Sequence, residues 1–365
     1  MIKFLDLQSQ YSQIKDEVDA AIKDVVEKAA FIGGDQIKQL EKDFAVYQDS
    51  SYCIGVANGT DALEIAIEAL NLPSNSEIIV PANSFVASSE AVTRSGHKVV
   101  FCDCDPNNYT IDLMSLKSVL TQKTKAIIAV HLYGHPCDMD GLKKIAQDHG
   151  LFIIEDCAQA HGAEYKNVKV GAIGNIGAFS FYPGKNMGAY GDAGAVVTNN
   201  EELANKARMI ANHGRIEKYN HLFEGRNSRL DNLQAAVLNV KLRHLERWTN
   251  RRIEIADFYL RELSEIQQIV LPKREKWARQ VYHVFVIRSK ERDQLAKYLK
   301  DQGIQTGIHY PIALPKLEAY NYLQQNCETY SAYKNDIELL SLPMGEHLTK
   351  NDAQKVVETI KSYFK

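Results

Sequence analysis

Near residue 77 the chain begins to alternate short apolar runs with amphipathic stretches, and this pattern constrains its fold more than any other feature. EIIVPA is followed by the small-residue helical stretch SFVASSEAVTRSG, KVVFCDCD by LMSLKSVL, and KAIIAVHLYG by DMDGLKKIAQDHG. The last of these ends on Gly150 and leads straight into LFIIEDCA. Apolar runs without a polar face fit strands buried on both sides. Helical segments of about 10 to 15 residues between them make βαβ units, and so an α/β fold with a large, mostly parallel, helix-covered sheet. In such sheets ligands gather beyond the carboxyl ends of the strands. Residues just after each apolar run are therefore the first place to look for chemistry.

From Arg229 to Leu263 the chain contains neither Gly nor Pro and repeats apolar residues at helical spacing, which reads as one long helix. It can connect to a second domain holding a strand in VYHVFVIR, a helix in ERDQLAKYLKDQG, a strand in IQTGIHY and a closing helix in NDAQKVVETIKSYFK. A chain of 365 residues suits one large domain and one smaller. The expected division is a large ligand-binding domain over 1–245, N-terminal segment included, and a small C-terminal α/β domain over 246–365.

A formal charge of −3 gives no electrostatic footprint for nucleic acid. No apolar run reaches the roughly 18 to 20 residues that crossing a bilayer requires, and MIKFLDLQSQY lacks the apolar core of a secretory signal. A cytoplasmic protein without membrane or nucleic-acid partners is expected. Six cysteines are scattered through the chain, which favours reduced thiols. Cys102 and Cys104 would share one face of a strand, and His131, His135 and Cys137 surround Gly134 and Pro136 on a loop. Neither group has a paired Cys-x-x-Cys partner, so no metal site is expected.

Three stretches carry candidate chemistry. In YCIGVANGTDALEIAIEAL a strand turns into a helix at Asn58, Gly59 and Thr60, where free N–H groups and the helix dipole favour phosphate; simple capping by Asn58 or Thr60 is the plainer reading. In LFIIEDCAQAH, Asp156 follows a buried strand and needs a cationic partner, either an arginine or a protonated ring nitrogen. In GAFSFYPGKNMGAYGDAGAVVT, Lys185 sits on a tight, partly aromatic loop behind Ser180. A phosphate-loop NTPase fails here, because Gly177 and Gly184 are too far apart and Asn186 replaces the magnesium-binding Ser or Thr. A phosphate cradle, an Asp and a Lys together match what pyridoxal 5'-phosphate needs: an amine for its aldehyde and a carboxylate for its ring nitrogen.

The motifs NGTDAL, PANSFVAS, EDCAQAHGA, SFYPGKNMGAYGDAGAVVT and GRNSRLDNLQAAVL carry a closer likeness. From FLDLQSQY to the HYP segment near residue 310, the chain resembles the sugar aminotransferases of the DegT/DnrJ/EryC1/StrS family, which have the aspartate aminotransferase-like architecture, fold type I. The resemblance implies that Lys185 is the Schiff-base lysine and Asp156 the partner of the pyridine nitrogen. It implies phosphate contacts from Gly59, Thr60 and Ser180, ring stacking by Phe85, and Gln159 near the ring hydroxyl. It also implies a homodimer with shared active sites, in which Asn227 reaches the neighbouring subunit's phosphate. Relatives that dehydrate carry His in place of the lysine, so Lys185 favours transamination.

Within that family, FYPGKNMGAYGDAGAV and KYNHLFEGRNSRLD look most like enzymes aminating carbon 3 of a dTDP-linked 3-keto-6-deoxyhexose. The 4-aminating relatives usually have His where Tyr182 stands. Ala193, where Gly is commoner, and IALPKLEAY depart from the family pattern. The implied cycle takes the amino group from L-glutamate, which leaves as 2-oxoglutarate while the cofactor becomes pyridoxamine 5'-phosphate. The 3-keto sugar then receives the amine. Tyr182, Lys218, Tyr219, His309 and Tyr310 are candidate sugar or diphosphate contacts. The alternatives are a 4-aminotransferase, a dehydratase, or a non-catalytic regulator of the same fold, although the sequence carries no appended DNA-binding arm.

Overall fold

The computed structural model describes residues 1–365, built around a seven-stranded sheet. Its strands are β1 (Tyr52–Val56), β2 (Glu77–Pro81), β3 (Lys98–Cys102), β4 (Thr124–Val130), β5 (Phe152–Asp156), β6 (Ile176–Ser180) and β7 (Gly194–Thr198). Across the sheet they run β1, β7, β6, β5, β4, β2, β3. All neighbours from β6 to β3 are parallel, whereas β7 lies antiparallel to both β6 and β1. The fold class is the expected α/β one, with a large, mostly parallel sheet.

Strand alternation divides the core between the two faces of the sheet. Ile78, Val80, Ile128, Ile154 and Val196 enter one apolar cluster, while Ile79, Ile127, Ile153, Phe179 and Val197 enter the other. Helices α1 (Leu7–Glu27) and α2 (Asp35–Tyr47) precede β1 in the sequence, whereas α3 (Gly59–Ala69) and α4 (Ala87–Arg94) lie among the first strands. One cysteine expectation is corrected here. Cys102 belongs to one cluster and Cys104 to the other, because β3 ends at Cys102 and the chain bends away. Asp103 helps hold that bend, its carboxylate accepting the N–H groups of Ser331 and Ala332.

The long helix spans Asn232–Leu263, starting slightly later than its sequence suggests. Ala235, Leu238 and Leu245 pack into the sheet core, and Ile255, Ala256, Tyr259 and Leu263 into a third cluster. Its other flank, through Val237, Val240 and Trp248, meets Ile14 and Val18 of α1. The core therefore changes between Leu245 and Ile255 while the helix continues unbroken. The third cluster lies on a small antiparallel sheet of Ile269–Val270, Phe285–Ser289 and Leu339–Leu342. Helices Arg292–Asp301 and Lys350–Tyr363 contribute Leu295, Leu299, Val356 and Ile360 to it. Val284, Val286 and Leu339 instead join the large-sheet core, so the C-terminal part also seals the first.

IQTGIHY forms no strand of its own. It is pinned at two separate points, Ile304 to Ile2 and Gly307 to Ser341, and different partners at each point prevent a continuous ladder. No helix is long and apolar enough to cross a membrane, and all six cysteines are buried free thiols.

Candidate active site

Strands β5 and β6 end at Asp156 and Ser180, and the turns after β1 and β2 carry Gly59 and Phe85. All four residues open onto one cavity of about 620 Å³. Thr60, Gln159, Tyr182, Lys185, His309 and Tyr310 line it as well. The parallel register makes this convergence: Val130 pairs with Asp156 and Asp156 with Ala178, so neighbouring strands end at one level.

Lys185 and Asp156 share this cavity. The loop bearing the lysine is tight, with the Lys185 backbone N–H donating to the Tyr182 carbonyl at 2.8 Å. Burial pushes the Lys185 ammonium down to about 8, against the weaker opposing pull of the Asp156 carboxylate. A useful share of the amine is thus free near neutral pH. The Asp156 carboxylate accepts the Ala158 N–H at 3.1 Å on one oxygen and the Ser88 hydroxyl at 2.6 Å on the other.

The turn into α3 has the features of an anion cradle. Asn58 caps the helix through its side chain, which accepts the Asp61 N–H at 2.8 Å, so the plainer capping reading is correct as far as it goes. The Ala62 N–H is taken by the Asn58 carbonyl at 3.1 Å. The amides of Gly59 and Thr60 lack intrahelical acceptors by helix geometry and border the cavity. A Cβ on Gly59 would stand 2.5 Å from the Ser180 Cβ, so the glycine keeps this approach open. The cradle, the half-buried amine and the carboxylate in one cavity fit pyridoxal phosphate.

Gln159 has a fixed orientation. Its side-chain oxygen accepts the Tyr133 N–H at 2.7 Å, and its amide group donates to the Tyr310 hydroxyl at 2.9 Å. Phe85 is 53% exposed beside Tyr310, leaving its face available for stacking. Burial, with repulsion from Lys185, pushes the His309 imidazole down to about 4. Three nominated residues lie elsewhere. Lys218 and Tyr219 are exposed on the hairpin Arg215–His221, and Asn227 is exposed beyond it, all outside this chain's cavity.

Sequence reasoning missed several residues. Arg252 lines the cavity from the long helix while its guanidinium donates to the Tyr282 and His283 carbonyls, both at 3.2 Å, and pairs with Glu346 at 3.2 Å. The signal was present, since Arg252 falls in the apolar stripe of Leu245, Trp248, Ile255 and Tyr259. His283 also lines the cavity, with Nδ1 3.1 Å from the Asn186 side-chain oxygen. The Asn186 amide group donates to the Val281 carbonyl at 3.2 Å. Its oxygen therefore faces His283, which assigns the proton to Nδ1 and leaves Nε2 as an acceptor.

Behind the sheet end, His131, Glu155 and Cys157 are close enough to suggest a metal. Hydrogen bonding already occupies the first two. His131 Nδ1 accepts the Cys137 N–H at 3.0 Å, so Nε2 carries the proton toward Glu155, also at 3.0 Å. Glu155 further accepts the N–H groups of Gly171 and Gly174. A metal would have to displace this network.

The sequence profile described as the DegT/DnrJ/EryC1/StrS aminotransferase family matches residues 12–361. The chain belongs to that family. Among its relatives, the Aneurinibacillus thermoaerophilus dTDP-3-amino-3,6-dideoxy-alpha-D-galactopyranose transaminase is 43% identical, covering 100% of this chain and 99% of the relative. The erythromycin biosynthesis sensory transduction protein EryC1 of Saccharopolyspora erythraea is 42% identical over 99% of each chain. The crystal structure of S. venezuelae DesV in complex with a ketimine intermediate superposes with a TM-score of 0.97 at 39% identity. That match covers 100% of this chain and 98% of DesV. The aminotransferase resemblance read from the motifs is thus correct across nearly the whole chain.

Proposed function

We propose that this aminotransferase moves the amino group of L-glutamate to carbon 3 of a dTDP-linked 3-keto-6-deoxyhexose, in deoxyamino-sugar biosynthesis. The cofactor is pyridoxal 5'-phosphate, with pyridoxamine 5'-phosphate as its aminated form. The observation that carries the reading is a half-buried amine, Lys185, and a buried carboxylate, Asp156, on one cavity beside the open helix end at Gly59. The 3-position and the dTDP carrier follow from relatives named dTDP-3-amino-sugar transaminases.

When bound, pyridoxal phosphate supplies an aldehyde that captures amines and a ring that draws electrons from the adjoining carbon. The chain's residues do the rest. Gly59, Thr60 and Ser180 would hold the phosphate, with Phe85 across the ring and Gln159 at its hydroxyl. Asp156 would keep a proton on the ring nitrogen. Lys185 would hold the cofactor at rest and, once displaced by a substrate amine, shuttle the proton at the reacting carbon. Its lowered proton affinity suits both tasks, because the free amine and the ammonium are each accessible near neutral pH.

The division near residue 245 and the homodimer belong to the same proposal. Asn227 is exposed, and nearby Ile216, Tyr219 and Leu222 expose 63%, 84% and 57% of their surfaces. An apolar, exposed segment suits contact with a second copy, from which Asn227 could reach a neighbouring phosphate. Tyr182, His309 and Tyr310 remain the proposed sugar contacts on this cavity, whereas Lys218 and Tyr219 would meet a sugar only in the neighbouring subunit's cavity. Incubation with glutamate and both C4 epimers of the 3-keto sugar, with the 4-keto sugar as control, tests the reading by NMR of the product. A C3 amine is expected. Exclusive amination of the 4-keto sugar would overturn the regiochemistry, and no amination of any sugar would favour the regulator.

A further inference from the structure

Asp156 is supported by a chain of hydroxyls that no motif singled out. Ser84 and Ser88 lie four residues apart across the start of α4, with their Oγ atoms 2.6 Å from each other. Ser88 Oγ is also 2.6 Å from Asp156 Oδ2. Ser84, Ser88 and Asp156 are only 3%, 1% and 6% exposed, so bulk water does not compete for these bonds. Proton counting fixes their direction. An ionised carboxylate only accepts, so the Ser88 proton goes to Asp156. The proton between the two serines must then come from Ser84. The result is a one-way relay, Ser84 to Ser88 to Asp156, beginning at the cavity wall that Ser84 lines and ending on the carboxylate.

We propose that Ser88, backed by Ser84, is a positioning residue whose hydroxyl fixes the Asp156 carboxylate as the partner of the cofactor's ring nitrogen. The inference rests on the cofactor reading above. A carboxylate and a ring nitrogen compete for one proton, and a hydroxyl donated to the carboxylate favours its charged form. That bond leaves the proton on the ring, where it is needed for electron withdrawal. The Ala158 N–H does the same from the other oxygen, and it also limits rotation of the group. Asp156 lines the cavity while Ser88 does not, so the carboxylate remains accessible from it.

The test uses holoenzyme reconstituted with pyridoxal phosphate labelled with 15N in the ring, comparing wild type, Ser88→Ala, Ser88→Thr and Ser84→Ala. In Ser88→Ala the ring-nitrogen resonance should move toward the unprotonated position. Cofactor dissociation should rise, because a carboxylate that has lost its hydroxyl donor competes harder for the ring proton and pairs less well with it. Turnover should fall while KM for glutamate holds. Ser88→Thr, which keeps the hydroxyl, should restore the resonance, and Ser84→Ala should show a smaller shift in the same direction. An unchanged resonance in Ser88→Ala overturns the inference even if activity drops, because that pattern means packing alone. Borohydride reduction of the wild type separates the two proposals. Failure to label Lys185 defeats the cofactor reading and this inference together. A labelled Lys185 with a resonance insensitive to Ser88 defeats only the inference.

Discussion

The lowered proton affinity of Lys185 gives a prediction with a definite magnitude. An ordinary lysine titrates near 10.5, and burial brings Lys185 to about 8. At about pH 7.5 the free-amine share would be about a quarter, against about 0.1% for a model lysine, a difference of roughly 200-fold. Competitive labelling of apoprotein with a trace amine-reactive reagent, read by peptide mass spectrometry, measures this directly. The Lys185 labelling rate should climb about tenfold per pH unit and level off above about pH 8. In Asp156→Asn the carboxylate that pulls the value upward is gone, so the inflection should fall below that of wild type. The same burial opposes folding of the apoprotein below about pH 8, where the ammonium is charged in both states. That penalty is relieved as pH rises toward 10.5, because the unfolded chain then holds more protons. An inflection near 10.5 would refute the burial argument. A rise on Asp156→Asn would refute the assignment of Asp156 as the opposing charge.

Gly59→Ala should weaken cofactor binding at least roughly tenfold in a fluorescence titration. Its new Cβ would sit 2.5 Å from the Ser180 Cβ and 3.1 Å from its Cα, in the mouth of the cradle. Overpacking there should also cost about 1–3 kcal/mol in urea unfolding; unchanged affinity would mean the phosphate binds elsewhere. Arg252→Ala removes the counter-charge of buried Glu346 and should lower unfolding stability by about 3–5 kcal/mol. Burial pushes the Glu346 carboxyl up, but Arg252 together with hydrogen bonds from Gln10 and the backbone and the nearby His347 outweighs it and holds the carboxyl below its usual 4.5. That carboxylate's contribution is therefore full above 4.5 and lost as pH falls through the lower folded value, a decline the variant should lack.

The alternation of apolar runs with amphipathic stretches was enough to give the parallel sheet, because a strand buried on both faces leaves no polar period to misread. The site residues at strand ends followed from the same logic, and Asp156, Ser180 and Lys185 do meet in one cavity. Contacts made by distant loops were not legible. His283 reaches Asn186 across 97 residues, and nothing local to VYHVFVIR distinguishes it from any histidine beside a strand. Ser88 read as a small helix-face residue, since its partner Asp156 is 68 residues away. The strand expected in IQTGIHY failed because apolar alternation does not reveal whether two neighbours will line up on one side. The opposite placement of Cys102 and Cys104 depended on one bend, at a point where the apolar pattern alone suggested continuation.

The central claim is that one lysine holds the aldehyde. Reconstitution with pyridoxal phosphate, reduction with borohydride and peptide mapping should place a single pyridoxyl group on Lys185, with Lys185→Ala unlabelled. A label carried by another lysine, or retained at full yield in Lys185→Ala, would contradict the account.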